Sequence, residues 1–383
     1  MPKNRLERYI EYVFPWEKAE TNEILSFDIE TTGLNPYRGA SIFSYATTND
    51  FMQSNVYRRE NFTESKFKNS LQRLFDDTLI RKTSHNYHFE YRFVNEYGIK
   101  IPKETKWDCT YIAAKLLKNN EVSYGLDDLY KRYFPSDKQR GKYDSTVSKY
   151  KTIGYDKVEK SIFDRYQKDD TERGYLLHSL LIPLIEKDEL NLINYNFELE
   201  IVRVTYEIEK LGLFIHEKNT IDLIKDLENK VNKVIKESGE YLHEYINLNS
   251  DKQVRALLFD RMNFPVIENT ESGLPSTDKD TIAKLKEKYP NEKVFDYILR
   301  WRSYTNAKTI IEYYLELHNK YGKINPTINT IRAVTDRESS EDPNGQNIRK
   351  PEALKNLFPV NSRQCFKPPK DYRLYCSWFF HLL

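Results

Sequence analysis

Two carboxylates that could do chemistry, Asp28 and Glu30, lie two residues apart in the segment ILSFDIETTGLNP. The apolar residues before them, and the Gly and Pro after them, predict a buried β-strand that ends here. Because successive side chains of a strand point to opposite faces, both acids lie on one face, opposite Phe27 and Ile29. Adjacent carboxylates in a poorly solvated place repel one another unless a cation lies between them. The spacing therefore favours a metal site, with solvated acids at a strand end as the alternative interpretation.

Histidine and cysteine usage limits the identity of such a metal. The chain has three cysteines, in no CxxC pair, and its seven histidines include a single close pair, His85 and His88. This usage argues for a reducing compartment and against a disulfide framework or a thiolate zinc site. Carboxylates would have to hold a catalytic metal, which indicates a hard cation such as Mg²⁺ or Mn²⁺.

Composition and charge limit the class of protein. The 383 residues include 60 Lys and Arg against 58 Asp and Glu, a formal charge of +2, which argues against a polybasic surface over the whole chain. At about 100–200 residues per domain, the length predicts two or three domains. The longest apolar stretch, residues 175–185, is too short for a bilayer, and the charged N-terminus lacks a secretory signal core. We expect a soluble globular protein that stays in the cytoplasm.

Strands alternate with helices over the first half of the chain, which predicts an α/β domain from about residue 20 to 190. The predicted strands cover residues 24–30, 42–47, 52–56 and 79–83, and the predicted helices cover residues 86–97, 110–117 and 161–185. Long amphipathic helices follow, predicted at residues 197–211, 216–245, 251–262, 278–288 and 295–321. Ser250 and Thr277 are expected to cap two of these helices at their N-termini. Beyond residue 322, repeated prolines favour strands and loops.

Three short motifs carry a resemblance to a known family. The segment LSFDIETTGLNP resembles the first motif of the DnaQ-like 3′→5′ exonucleases that accompany family A, or polymerase-I-like, DNA polymerases. HNYHFE, from His85 to Glu90, resembles the second motif, H-N-x-x-F-D. Tyr166 and Asp170, in YQKDDTERGYLLH, match the third motif, Y-x-x-x-D. The resemblance implies an RNase H-like (DnaQ-like) exonuclease domain with a central mixed β-sheet.

The resemblance also implies a role for each motif residue. Four carboxylates would bind two divalent ions, Mg²⁺ or Mn²⁺, that span the scissile phosphate: Asp28, Glu30, Glu90 and Asp170. Tyr166 would orient the attacking water, and it lies four residues before Asp170, on the same face of a helix. Asn86 is a candidate for positioning the terminal nucleotide.

One motif residue departs from the family pattern. Glu90 stands where the family usually has Asp, and its side chain is one methylene longer. We expect a working site, because a helix set slightly farther back would let the longer arm reach the metal, with a weakened exonuclease as the alternative. We interpret His85 and His88 as local hydrogen-bonding residues. Three further acids at family positions outside the motifs are interpreted as structural: Asp108, Asp127 and Asp128.

The helical half resembles the thumb of family A polymerases in the segments ELEIVRVTYEIEKLGLFI, NLNSDKQVRALLFDRMNFPV and RWRSYTNAKTIIEYYLEL. A thumb grips duplex DNA through its phosphates, with Lys, Arg and polar donors. Between Lys279 and Arg302 there are seven basic and four acidic residues, a modest excess that a solvated helix face would also show. A second basic stretch, residues 138–151, either guides single-stranded DNA or is a surface loop.

The segment TDRESSEDPNGQNI resembles a family loop, T-G-R-L-S-S-x-D-P-N-L-Q-N-I, that lies against the minor groove of primer–template DNA. The resemblance implies four DNA-binding residues: Arg337, Asn344, Gln346 and Asn347. Asp336 and Glu338 replace Gly and Leu of the family pattern, and Gly345 replaces a second Leu. Two added negative charges beside DNA are expected to weaken the contact.

The resemblance stops near the C-terminus. SRQCFKPPKDYRLY resembles the strand before the first polymerase motif, but Trp378 stands near the position of that motif's metal-binding Asp. Because nucleotidyl transfer needs two carboxylates to hold its ions, we expect no DNA polymerisation by this chain alone. The expected explanation is an interrupted gene, or a split polymerase whose second polypeptide carries the rest of the palm and fingers. The predicted domains are an N-terminal extension (1–21), the exonuclease (22–190), a mainly α-helical thumb (191–321), an incomplete α+β palm segment (322–375) and a non-matching tail (376–383).

The leading hypothesis is the N-terminal portion of a replicative family A DNA polymerase that retains a proofreading 3′→5′ exonuclease. The absence of an upstream 5′-nuclease segment and the Lys- and Tyr-rich, Gly-poor composition would suit a bacteriophage enzyme. An RNase D-like RNA exonuclease shares the three motifs, but the thumb-like half argues against it. An inactive DNA-binding fragment is the non-enzymatic alternative, favoured if Glu90 binds no metal.

Overall fold

The computed structural model describes residues 23–138, 140–331, 337–348 and 361–368. The backbone divides into two compact units, and both are discontinuous in sequence. The first unit combines the chain up to Lys210 with Ile328–Ser339, and the second combines Leu211–Thr327 with the chain from Ser340 onward. The predicted boundary at residue 190 stays a prediction. The predicted extension (1–21) and tail (376–383) lie outside the described residues.

A mixed five-stranded sheet forms the centre of the first unit. Its strands are β1 (Ile24–Thr31), β2 (Ile42–Thr48), β3 (Ser54–Arg58), β4 (Arg81–Ser84) and β5 (Trp107–Cys109). They lie in the order β3-β2-β1-β4-β5, with β1 antiparallel to β2 and parallel to β4. The predicted central mixed sheet is therefore confirmed, with β1 as its middle strand. The sequence pattern predicts no strand at β5, and the strands predicted at residues 52–56 and 79–83 begin two residues before β3 and β4.

Seven helices of the described residues flank this sheet or follow it. They are α1 (Glu64–Asp76), α2 (Tyr87–Glu96), α3 (Thr110–Leu117), α4 (Leu126–Tyr133), α5 (Asp144–Ser148), α6 (Lys160–Glu186) and α7 (Glu189–Leu211). Helix α6 continues through Pro183 and ends one residue beyond its predicted end. Helix α1 is absent from the prediction, although Phe67, Leu71 and Phe75 recur every four residues and are fully buried. That spacing is the signal that could have found it.

The buried face of β1 packs against aromatic side chains. Phe27 is 1% exposed, and its ring centroid lies 5.8 Å from that of Phe75 and 5.8 Å from that of Trp107. Ile29 is buried as well. Alternation along the strand then places Asp28 on the opposite face, as the sequence predicts. The aromatic packing fixes the strand that carries the acids.

The second unit is mainly helical. Its helices are α8 (Glu217–Leu242), α9 (Asp251–Arg255), α10 (Lys279–Lys288) and α11 (Val294–Tyr321), and a π-helical turn, Ala256–Arg261, follows α9 directly. β6 (Phe214–Ile215) pairs with β9 (Phe366–Lys367), while β7 (Thr327–Asn329) and β8 (Ser339–Glu341) lie where the chain passes between the units. No helix in these described ranges has both the length and the apolar character that crossing a bilayer demands.

The two predicted N-caps have different outcomes. Ser250 accepts a hydrogen bond from the backbone N–H of Gln253 and caps α9, as predicted. The prediction for Thr277 is wrong, because the cap of α10 is Asp278, which accepts from the N–H of Thr281 at 2.7 Å. The Thr277 hydroxyl instead donates to Asp251. A carboxylate is the better cap because it also interacts with the positive end of the helix dipole.

We expect Asp278→Ala to lower the free energy of unfolding by about 1 kcal/mol, the usual cost of losing an N-cap. Urea denaturation at neutral pH measures this loss. Glu287→Ala, on the same helix away from its N-terminus, is the control and should change stability by less than about 0.5 kcal/mol. Equal losses in the two variants would contradict the capping role.

Candidate active site

Three elements of the first unit carry the predicted metal-binding acids. The middle strand β1 supplies Asp28 and Glu30, helix α2 supplies Glu90, and helix α6 supplies Asp170. Hydrogen bonding to strands on both sides holds β1 in place, and α6 packs across β1 and β2. The acids therefore project from regular elements, which hold side chains more precisely than loops do.

Three of the acids form one compact group. One carboxylate oxygen from each of Asp28, Glu30 and Asp170 lies within 4.8 Å of the other two. Ligand oxygens bind Mg²⁺ at about 2.1 Å, so two ligands on opposite sides of an ion are about 4 Å apart. The spacing and the all-oxygen chemistry therefore fit a hard divalent cation. Glu30 is 7% exposed, so water solvates its charge poorly.

Glu90 lies beside this group but outside its 4.8 Å limit. Its side chain is 3% exposed, and its Oε2 has no hydrogen-bond partner within the described part of the chain. Burial, and next the charge of Asp28, raise the pKa of the Glu90 carboxyl well above its usual range. A buried oxygen without a partner is costly, and a bound cation would compensate it.

The acids destabilise one another's charged forms. Burial, followed by the charge of Asp170, raises the pKa of Asp28 well above its usual range. Burial, followed by the charges of Asp28 and Asp170, does the same for Glu30. Burial also raises the pKa of Asp170 to about 6, against the opposing effect of Arg173. Such mutual repulsion in a poorly solvated place is typical of a site built for cations.

Tyrosine hydroxyls lie next to the acids. Tyr166 is hydrogen-bonded to Asp170, and burial and the neighbouring carboxylates raise the pKa of its hydroxyl. The hydroxyl therefore stays protonated at any physiological pH. Tyr155 is not among the site residues predicted from the sequence, and its pKa is raised by burial and then by the charges of Glu30 and Asp170. A lone tyrosine among 29 carries no sequence signal of this kind.

A buried guanidinium also contacts the acid group. Arg173 lies one helical turn after Asp170 and donates a hydrogen bond to its Oδ1. It also donates to both carboxylate oxygens of Asp144, at 2.8 and 3.1 Å, and to Asp127 at 3.3 Å. Arg173 is not among the site residues predicted from the sequence, although its position three residues after an acid on a helix is a usable signal.

Asp108, which lies outside the three motifs, and the two histidines of the second motif have local partners. Asp108 accepts hydrogen bonds from Tyr195 and lies 2.8 Å from Nε2 of His178, deep in the core. His85 contacts the Thr110 hydroxyl and the main-chain oxygen of Tyr124, and burial lowers its pKa to about 4. His88 lies 3.0 Å from a Glu209 oxygen. Asn86 is exposed at the start of α2, where its side chain makes no capping hydrogen bond.

The basic residues predicted to grip DNA are partly paired within the second unit. The pairs are Lys284 with Glu268, Lys286 with Asp296, Arg300 with Glu237 and Arg302 with Asp251. Exposed ion pairs are weak, so Lys284 and Lys286 can exchange their partners for phosphates. Arg302 differs because it also donates to the main-chain oxygens of Leu248 and Thr277, which gives it a structural role.

The predicted minor-groove residues fall in both units. Arg337 is exposed and belongs to the first unit, whereas Asn344 and Gln346 belong to the second. The side-chain oxygen Oδ1 of Asn344 accepts from the hydroxyl of Ser340 and from the backbone N–H of Gln346, both at 3.1 Å, and so stabilises its own turn. The side chain of Asn347 lies outside the described residues.

Comparison with known protein families matches both parts of the chain. A family model described as 3′-5′ exonuclease matches residues 15–186. Together with the sheet and the acid group, this match defines residues 15–186 as a 3′-5′ exonuclease domain. A second family model, described as DNA polymerase family A, matches residues 217–379. Residues 217–379 are therefore a region of the DNA polymerase family A type.

Individual relatives agree with this assignment. DNA polymerase I of Caldicellulosiruptor bescii is 28% identical over 239 residues, which cover 62% of this chain and 25% of that protein. DNA polymerase I of Pseudomonas aeruginosa is 23% identical over 370 residues, or 94% of this chain and 40% of that protein. The chain thus spans between a quarter and two fifths of the length of these curated relatives.

A solved structure agrees with the fold. It is described as the POL domain of Pol1 from M. smegmatis in complex with DNA primer-template and dNTP. The two structures align with a TM-score of 0.67 and 19% identity, over 95% of this chain and 57% of the other. At this identity, the likeness establishes a shared fold.

Proposed function

We propose that this chain removes nucleotides from DNA 3′ ends as a proofreading 3′→5′ exonuclease. The observation that carries the proposal is the group of Asp28, Glu30 and Asp170, with carboxylate oxygens within 4.8 Å of one another, inside a domain that matches the exonuclease family model. These three acids and Glu90 would hold two divalent ions, Mg²⁺ or Mn²⁺. When bound, the ions would supply a nucleophile at neutral pH and stabilise charge on the phosphate.

The chain's own residues would orient the reactants. The Tyr166 hydroxyl is hydrogen-bonded to Asp170, and its oxygen can accept a hydrogen bond from a water beside the scissile phosphate. Burial keeps this hydroxyl protonated, so Tyr166 acts by position and not as a base. The exposed amide of Asn86 could bind the terminal nucleotide.

We assign DNA as the substrate, and not RNA, because residues 217–379 match the polymerase family model and RNase D-like enzymes would not require that part. Binding of primer–template DNA would use exposed basic side chains of α10, such as Lys284 and Lys286. Arg337, Asn344, Gln346 and Asn347 would add contacts in the minor groove. A second polypeptide and a bacteriophage origin stay predictions.

One assay tests the substrate assignment. The purified chain is incubated with Mg²⁺ and either a 3′-mismatched primer–template or a matched RNA of the same sequence. We expect metal-dependent release of deoxynucleoside monophosphates, faster from the mismatched end than from a paired one. Faster release from RNA would support the RNase D-like alternative. Duplex binding without cleavage of either substrate would support the inactive DNA-binding alternative.

Glu90→Gln tests whether the longer acid serves the site. We expect this change to lower the rate of nucleotide release by about 10²-fold, because an amide removes about 3 kcal/mol of interaction with bound cations. Without divalent ions the variant should be at least as stable as wild type, since an uncompensated buried charge is gone. Steady-state rates and urea denaturation in EDTA measure the two effects. Glu96→Gln, at an exposed position of the same helix, is the control. An unchanged rate in Glu90→Gln would remove Glu90 from the site.

A further inference from the structure

Arg173 is a buried cation of the exonuclease domain that has no role in the three motifs. Its side chain is 2% exposed, and it lies on α6 three residues after Asp170. Its two terminal nitrogens donate hydrogen bonds to carboxylates on three different elements: Asp170 on α6, Asp144 on α5 and Asp127 on α4. A buried guanidinium is expensive unless its donors are satisfied, and these acids satisfy both terminal nitrogens, whereas Nε has no hydrogen-bond partner among the described residues.

The Arg173 guanidinium bonds to Asp144 and Asp170 at the same time, each with a defined geometry. Asp144 accepts from both terminal nitrogens, at 2.8 and 3.1 Å, which is the two-point geometry that Arg forms with a carboxylate. One of these nitrogens, Nη2, also donates to Oδ1 of Asp170. The hydrogen bond to one oxygen limits rotation of the Asp170 carboxylate. Lys could replace this function only in part, because an ammonium group is a point donor without a planar fork.

The segment that carries Asp144 is built around the same guanidinium. Gly141 has a φ of +77°, and a Cβ there would lie 2.9 Å from Asp144 Oδ2 and 3.2 Å from Arg173 Nη1. Farther along, Val147 is 1% exposed and packs in a small apolar cluster with Phe163, against which Tyr166 also packs. Residues 140–158 are therefore tied to α6 by a charged bridge and by an apolar contact.

We propose that Arg173 is a positioning residue: it bridges Asp144 to Asp170 so that the metal-binding carboxylate and residues 140–158 are held as one body. Divalent-ion affinity and the order of residues 140–158 then depend on the same guanidinium. The inference rests on the proposed function only in taking Asp170 as a metal ligand.

Metal binding gives the first test. We expect Arg173→Gln to weaken Mn²⁺ binding, measured by electron paramagnetic resonance of free Mn²⁺, by about 10-fold or more, as for other residues that orient metal ligands. The kcat for nucleotide release should fall by about 10- to 100-fold while the KM for DNA stays within about twofold. Arg173→Lys should recover part of the metal affinity, because one charged donor remains. Arg165→Gln is the matched control, since Arg165 lies on the same helix and pairs with Asp169 at 2.6 Å.

Order in residues 140–158 gives the second test. Trypsin cleaves after Lys142 and Lys149, and we expect cleavage there to be at least about 10-fold faster in Arg173→Gln than in Arg165→Gln. Asp144→Asn should likewise accelerate trypsin cleavage and weaken Mn²⁺ binding, as Arg173→Gln does. Should Arg173→Gln fail to fold, Arg173→Lys and Asp144→Asn carry both tests.

The outcomes separate this inference from the proposed function. Mn²⁺ affinity and trypsin cleavage that match the Arg165→Gln control would overturn the role of Arg173, even if the wild-type chain is an active exonuclease. Weakened Mn²⁺ binding with faster cleavage supports the bridge, even if the wild-type chain hydrolyses no DNA. Faster cleavage with unchanged Mn²⁺ binding would reduce Arg173 to a structural residue and overturn the inference.

Discussion

Asp28→Ala is expected to lower the rate of Mg²⁺-dependent nucleotide release by about 10³-fold or more. The carboxylate oxygens of Asp28, Glu30 and Asp170 converge within 4.8 Å, so removing Asp28 takes away one of the proposed metal ligands. Loss of about 4 kcal/mol of charge stabilisation in the transition state corresponds to this factor. Single-turnover cleavage of a 3′-mismatched primer–template measures it without interference from product release.

The chain supplies a matched control for this experiment. Asp226 begins another D-x-E triplet, on α8, where it is half exposed and pairs with Lys230 at 2.7 Å. Asp226→Ala should leave the cleavage rate within about twofold of wild type. An active Asp28→Ala variant would contradict the site, whereas equal losses in both variants would indicate general damage to the protein.

The second large effect is on stability in the absence of divalent ions. Burial raises the pKa of Asp170 to about 6, whereas the same group in the unfolded chain titrates near 4. The Asp170 carboxyl therefore binds its proton more tightly in the folded state than in the unfolded state. Protonation of Asp170 thus adds to the free energy of unfolding below pH 4, and this addition is lost as the pH rises through 6. Two pKa units correspond to about 3 kcal/mol. In EDTA, Asp170→Asn should accordingly be more stable than wild type at pH 8, with the difference shrinking towards pH 4.

The difference in stability between Asp170→Asn and wild type is measured by native-state hydrogen exchange of the β1 amides, corrected for intrinsic exchange rates. These amides report on the stability of the first unit. Adding Mg²⁺ or Mn²⁺ at pH 8 should stabilise wild type and close the gap, because a ligand that binds only the folded state stabilises it. Asp226→Asn provides the control, since its side chain is half exposed. If Asp170→Asn were less stable than wild type at pH 8 in EDTA, the acids would not be mutually repelling as described.

Much of the acid site could be predicted from the sequence because its information is local. Strand alternation places Asp28 and Glu30 on one face, and helical spacing places Tyr166 beside Asp170. Their convergence, however, depends on the packing of α6 across β1, for which the family motifs supplied the only indication.

The parts that sequence reasoning missed depend on distant residues. Asp144 and Arg173 are 29 positions apart, and only the folded chain shows that they form one bridge. Thr277 and Asp278 are both acceptable caps by residue type. Because the Thr277 hydroxyl donates a hydrogen bond to Asp251, Asp278 caps the helix instead. Strand β5, Trp107–Cys109, is too short to show the alternation of apolar and polar residues that predicts a strand.

The last segment of the first unit, Ile328–Ser339, lies in sequence between the two stretches of the second unit. Ile331 is 5% exposed within the exonuclease core, and its main-chain oxygen accepts a hydrogen bond from Lys115. About 120 residues are made between Lys210 and Ile328, which takes roughly 6 to 24 s at about 5–20 residues per second. During synthesis, the nascent exonuclease core therefore lacks Ile331 for that long, and a chaperone could bind the apolar surface that this side chain later covers.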